Sequence, residues 1–183
     1  MMIFWLTGLS GSGKSTIARK AKEELGARGK KILLLDGDDI RAGHSKKLSF
    51  SRKDIEENNR NIALLCLERM SDFDHIFVAV ITPFRSIRKE LRERFGDKYA
   101  EVYIKISLDE AIRRDVKGLY KKALNGEIEN FIGVDRNTPY EPPENPDLII
   151  ESGREGVEAS VNKFIAFIES AANKAGCKRG DTQ

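Results

Sequence analysis

The sequence predicts an α/β fold, a five-stranded parallel sheet flanked on both faces by helices. Three observations carry that prediction. Short apolar runs alternate with helix-periodic stretches along the chain. Several of the runs are apolar without interruption, as strands covered on both faces are. A glycine-rich loop joins the first run directly to the first helical stretch.

The elements follow in order. Strands are expected at 2–7 (MIFWLT), 31–36 (KILLLD), 75–81 (HIFVAVI), 101–107 (EVYIKIS) and 147–151 (DLIIE). Helices are expected near 14–26, 52–70, 85–95, 109–125 and 156–173. The helix at 52 carries its own start signal. Ser51 is a candidate N-cap with Asp54 at the third helical position, and Phe50 and Ile55 occupy the two positions of a hydrophobic staple. Trp5, between Phe4 and Leu6, reads as core. We expect a single domain over 1–174 and a flexible polar tail at 175–183.

Composition narrows the class. With 40% hydrophobic and 33% charged residues, the 183-residue chain is of the soluble globular type and long enough for a real core. Its 32 basic and 29 acidic residues are interleaved, which leaves no footprint for nucleic acid. No apolar run approaches a membrane span, and the N-terminal MMIFWLTG lacks a basic leader, so it reads as a strand. Two cysteines, Cys66 and Cys177, make no disulfide framework, and a cytoplasmic location is expected. His44 and His75, the two histidines, have no companion at metal-ligand spacing.

The loop GLSGSGKS, Gly8 to Ser15, matches G-x-x-x-x-G-K-[ST]. Its glycines let backbone N–H groups curl around a phosphate chain, and the helix that follows adds partial positive charge. Lys14 would reach the terminal phosphates of ATP and the Ser15 hydroxyl would ligate Mg²⁺. At average residue usage such a match arises by chance in about one chain in a hundred of this length. Asp36, Asp38 and Asp39 close the second strand, at the sheet edge where α/β ligands bind. A carboxylate there can hold Mg²⁺ through water, here Asp36, or accept a hydroxyl proton, here Asp38. Asp39 reads as a helix cap.

These motifs, with FS…EEN, TPFR, RDVKGLYKKALNGEI, NFIGVD and PYEPPENPDL in order, resemble the adenylylsulfate kinase family from the first strand to about Glu151. The resemblance implies a P-loop kinase fold with a mobile lid at about 114–135. It also implies transfer of the ATP γ-phosphate to the ribose 3′-hydroxyl of adenylylsulfate, and a homodimer in many members. It assigns ATP contacts to Gly8, Ser10, Gly11, Ser12, Gly13, Lys14, Ser15, Thr16 and Arg114. It assigns acceptor contacts to Asp38, Arg41, Phe50, Asn58, Arg85, Lys117, Leu119 and Phe131, with Phe50 and Phe131 sandwiching the adenine. Lys121 and Lys122 belong to the same basic lid. Thr82 stands where many members have a serine sometimes labelled a phosphorylated intermediate, a role that in-line transfer does not require.

The departures from the family concentrate in the acceptor half. The chain has Ala42-Gly43-His44 after Arg41, Ser49 before Phe50, Val116 for a usual proline, and Ile55 for an arginine that contacts substrate in the family. Ile55, Asn58 and Ile62 share one helical stripe, so Ile55 projects toward whatever Asn58 touches. Two alternatives follow. One is a kinase of the same fold acting on another nucleotide-linked acceptor, such as a cytidine diphosphate derivative. The other is a nucleotide-binding module without catalysis, against which stand Lys14, Ser15 and Asp38.

Overall fold

The computed structural model describes residues 1–43 and 51–177, and side chains within these except at 41–43 and 172–177. Five parallel strands form one sheet: β1 (Met2–Thr7), β2 (Ile32–Asp36), β3 (His75–Ala79), β4 (Tyr99–Lys105) and β5 (Leu148–Glu151). Their order is β2-β3-β1-β4-β5, with Met2 opposite His75 on one side of β1 and Ile3 opposite Tyr99 on the other. β1 is therefore central, and all six of its residues are buried.

Strand alternation divides the core. Met2, Phe4 and Leu6 face α1 (Lys14–Ala27) and α7 (Val157–Cys177), meeting Ile17, Ala21, Phe164 and Ile168. Ile3 and Trp5 face α3 (Arg52–Arg69) and α4 (Arg85–Phe95), meeting Ile62, Cys66, Ile87 and Leu91. A third cluster lies beyond the carboxyl ends of the strands. There Leu9 and Ile106 pack with Ala111 of α5 (Leu108–Arg114), Tyr120 of α6 (Leu119–Leu124) and Phe131. A short helix, α2 (Gly37–Gly43), follows β2, and a 3₁₀ turn at Gly96–Lys98 precedes β4.

The predicted strands and helices are present, with differences that have local causes. The helix expected over 109–125 is two helices. Asp115 at φ 26° and Gly118 at φ 64° break it, and the Asp115 carboxylate accepts the N–H groups of Tyr120 (2.9 Å) and Lys121 (3.0 Å), capping α6. β4 begins two residues early, at Tyr99, and ends two early, the chain turning into α5 with Ser107 as its N-cap taking the Glu110 N–H. β3 stops at Ala79, short of the predicted 81, because Thr82 leaves the extended region at φ 44°. The cap after β2 is Asp36, which accepts the Asp38 N–H at 3.1 Å, and Asp39 lies inside the first turn. Ser51 caps α3 as expected, its hydroxyl accepting the Asp54 N–H. Phe50, the other half of the expected staple, lies outside the described residues, as does His44. α7 continues to Cys177, past the predicted 173, and the rest of the expected tail, 178–183, is outside the described residues.

A buried ion pair braces the second face. Arg88, 3% exposed, sits 2.8 Å from Glu101 and donates to the carbonyls of Thr82 (2.7 Å) and Glu141 (2.5 Å). Removing one partner of such a pair costs about 3–5 kcal/mol, since the other charge is stranded.

His75 is buried at the start of β3 against Phe4, and its Nδ1 has no hydrogen-bond partner among the described residues. Burial pushes its imidazolium down to about 4, with the N-terminal ammonium adding to the effect. The folded state thus holds fewer protons than the unfolded state between about pH 6.5 and 4, so stability is lost as pH drops through that window. Thermal melts from pH 7 to 4 should show this slope, and a His75→Leu variant should flatten it. An unchanged slope in the variant would assign acid sensitivity to other groups.

Candidate active site

The carboxyl ends of β1, β2 and β3 open into a cleft of about 240 Å³. The phosphate loop forms one wall. Gly8 leaves β1 so close to β4 that a Cβ there would meet the Ile104 carbonyl at 2.4 Å, which excludes any side chain. Ser10, Gly11, Gly13, Lys14, Ser15 and Thr16 line the cleft, while Gly8 and Ser12, both buried, do not. The Lys14 ammonium, 7% exposed, donates to the carbonyls of Gly8 (2.9 Å) and Leu9 (2.8 Å) and to the Ser12 hydroxyl (3.4 Å). Burial pushes it down to about 7; Lys117 adds to this, and Asp36 and Asp38 oppose it.

Asp36 is 2% exposed and accepts from Arg19 at 3.1 Å as well as from the Asp38 amide. Asp38, more exposed, is ion-paired with Lys117 from the 115–118 turn, which brings the predicted base and a predicted lid cation together. The residues fit Mg²⁺ held with a nucleotide. Ser15 offers a hydroxyl on the first turn of α1, and Asp36, with both oxygens already engaged, suits contact through water. Among the described residues no group of three or more His, Cys, Asp or Glu side chains could hold an ion alone.

The other wall is mostly apolar. Ile55, Val80, Ile81, Pro83, Leu119 and Phe131 line it with Asn58, Asn59 and Thr82. Phe131 is held edge-on by Tyr120, ring centroids 5.0 Å apart. Burial raises the Tyr120 hydroxyl to about 12, helped by Asp115, so it stays protonated and donates to the Ser10 carbonyl at 3.1 Å. That bond ties α6 to the phosphate loop. Ile55 is 5% exposed and belongs to the second core cluster as well as to the cleft. Among the described lining residues the charged ones are Lys14, Asp36, Asp38 and Lys117.

Two expected contacts lie elsewhere. Arg85 is turned toward the 141–144 segment, with Nη1 2.9 Å from Glu144 and Nε donating to the Pro142 carbonyl. Arg114 donates to Glu110 (2.9 Å) and to the Ser152 carbonyl (2.7 Å) and does not line the cleft. Both guanidiniums are engaged elsewhere: Arg85 and Arg114 each reach a distant acceptor, and Arg114 also pairs with Glu110 one turn back on its own helix. Lys121 and Lys122 are exposed and likewise outside the lining. Phe50 and the Arg41 side chain lie outside what is described. Thr82 lines the cleft, but its hydroxyl is engaged on both sides, accepting from Trp5 Nε1 (2.7 Å) and donating to Asn59 (2.8 Å). Its left-handed backbone stores about 1–3 kcal/mol of strain. Asn59 went unnoticed in the sequence. A polar residue one turn beyond Ile55, on the buried stripe, was the available signal.

A parallel sheet with a phosphate loop after its central strand, facing a carboxylate and an acceptor cleft, defines a P-loop phosphotransferase. Within that class the chain belongs to the adenylylsulphate kinase family, whose model matches residues 1–151. It is 47% identical over 168 residues to a probable adenylyl-sulfate kinase of Bacillus subtilis (strain 168), covering 91% of this chain and 84% of that protein. It is 44% identical over 170 residues to the adenylyl-sulfate kinase of Bacillus velezensis, covering 92% and 85%. Its fold is similar to a solved structure of the Mycobacterium tuberculosis APS kinase in complex with AMPPNP and APS, with a TM-score of 0.85 at 35% identity, covering 92% of this chain and 97% of that one.

Lys14 supplies a test of the phosphate side. Polyphosphate placed on the loop should oppose the burial that lowers its pKa, so the ammonium should take up a proton. Calorimetry of nucleoside triphosphate binding in buffers of different ionisation enthalpy should show uptake approaching one proton at pH 8, and little at pH 6 where Lys14 is already charged. Buffer-independent heats at pH 8 would refute the lowered pKa.

Proposed function

We propose that the chain transfers the γ-phosphate of ATP to the ribose 3′-hydroxyl of adenylylsulfate, giving 3′-phosphoadenylylsulfate and ADP. The observation that carries this reading is one cleft in which the phosphate loop, Asp38 and the apolar Phe131 wall meet, in a chain of this family.

The loop amides and Lys14 hold the phosphate chain, and Ser15 and Asp36 would hold Mg²⁺, which would supply charge stabilisation to the phosphates. Asp38 accepts the 3′-hydroxyl proton while the hydroxyl oxygen bonds to the γ-phosphorus and the bond to the ADP oxygen breaks. Its ion pair with Lys117 orients the carboxylate and supports this role. Phe131 offers the flat base a stacking partner, with Leu119 beside it. Asn58 contacts the acceptor from α3, with Arg41 and Phe50 as further contacts carried by the family resemblance. The segment at about 114–135 acts as the lid that keeps water, a competing acceptor, away from the γ-phosphate. The reading extends to a single domain over 1–174, acting in the cytoplasm as a homodimer. The continuous sheet and the free buried thiol of Cys66 support the first two, and the family resemblance the third.

The decisive experiment is a coupled assay for ADP release with adenylylsulfate and a panel of other nucleotides, cytidine diphosphate derivatives included. Turnover is expected with adenylylsulfate, and turnover with a different acceptor alone would overturn the reading. In the same assay Asp38→Asn should lower kcat by roughly 100-fold or more while ATP affinity is nearly unchanged. Near-normal kcat would remove Asp38 as the base.

A further inference from the structure

The acceptor wall is held by a directional hydrogen-bond relay. The indole of Trp5 can only donate, so Thr82 Oγ1 is its acceptor, at 2.7 Å. The Thr82 hydroxyl proton is then free to go to Asn59 Oδ1, at 2.8 Å. That bond orients the Asn59 amide, whose Nδ2 donates to the Ile55 carbonyl at 2.7 Å. All three side chains are almost fully buried: Trp5 0%, Thr82 1% and Asn59 3% exposed. The relay joins the centre of the sheet to the first turns of α3, which carry Ile55 and Asn58 into the cleft.

Thr82 is also one of three described non-glycine residues with positive φ, at 44°, and a β-branched side chain seldom stands there. Its carbonyl accepts from Arg88 Nη1 (2.7 Å), while the Thr7 hydroxyl donates to the preceding carbonyl, that of Ile81 (2.5 Å), so the turn is held from both sides. An apolar residue at 59 would fill the volume yet leave the Thr82 hydroxyl without an acceptor. The Asn59 amide supplies an acceptor for Thr82 and a donor for the Ile55 carbonyl together, and is long enough to reach both.

We propose that Asn59 is a positioning residue for the acceptor nucleotide, clamping the Ile55–Asn58 face of α3 to the strained Thr82 turn and so setting the shape of the acceptor half of the cleft. The inference rests on the reading of this cleft as the adenylylsulfate site. It differs from the expected contact role of Asn58, because Asn59 acts through its neighbours.

The test varies both substrates with wild type, Asn59→Leu, Thr82→Val and Thr82→Ser. Loss of the clamp in Asn59→Leu or Thr82→Val should raise the KM for adenylylsulfate about tenfold while the KM for ATP stays within about twofold. Thr82→Ser keeps the hydroxyl and should remain near wild type in both. The double variant Asn59→Leu/Thr82→Val should be little worse than either single one, since both cut the same link. A purely structural role would lower Tm and leave the adenylylsulfate KM within about twofold, or move both KM values equally, and either result overturns the proposal. Should Asn59→Leu fail to fold, Asn59→Ser, which is small and too short to reach both partners, is judged by the same criterion. Absence of adenylylsulfate turnover in the wild type overturns the reading of the site itself, whereas wild-type turnover with unmoved variants overturns the clamp alone.

Discussion

The indole N–H of Trp5 lies at the centre of a sheet covered on both faces, so its acceptor has to come from inside the protein. The Thr82 hydroxyl is that acceptor, and much of the active-site architecture follows from the arrangement. Thr7, two residues on, binds the Ile81 carbonyl at 2.5 Å and lies 3.0 Å from the Tyr140 hydroxyl. The end of β1 is thereby joined to the turn after β3 just before the chain enters the phosphate loop. One strand thus sets both walls of the cleft: the loop through its covalent continuation, and the acceptor turn through its buried polar groups.

Charge is arranged along that junction with little redundancy. Lys14 and Asp36 are buried among the lining residues, and each is held by hydrogen bonds to its neighbours. Asp38 and Lys117 are more exposed and meet across the cleft mouth, so their pairing depends on where the 115–118 turn sits. The caps of α6 on Asp115 and the Tyr120 bond to Ser10 decide that position. The pairing of Asp38 with Lys117 therefore rests on a helix break and a tyrosine hydroxyl.

The parts that were legible in the sequence are those governed by short-range rules. The continuously apolar runs became the five buried or part-buried strands, the Gly8–Ser15 spacing became the phosphate loop, and Ser51 became the cap of α3. Where two local tendencies competed, the reading slipped. The 109–125 stretch has helical periodicity throughout, yet Asp115 and Gly118 favour a turn, and the tertiary contacts of Tyr120 with Phe131 and Ser10 settled the break. Arg85 and Arg114 looked like cleft cations because charge is visible in sequence, but the acceptors that turn them elsewhere include Glu144 and the Ser152 carbonyl, 59 and 38 residues away. Asn59 was passed over because its acceptor role depends on a residue 23 positions distant.

By itself, the sequence determined the α/β class, the order of strands and helices, the phosphate loop and the family to which the chain belongs. These rest on periodicity, glycine placement and motif spacing, which act over a few residues. Only the tertiary structure decided which charges face the cleft, that Ile55 is at once core and cleft wall, and that Thr82 is a strained structural hydrogen-bonding partner. Those outcomes depend on hydrogen bonds and burial between segments far apart in the chain, and a side chain's choice among distant partners is made only when the sheet brings them together.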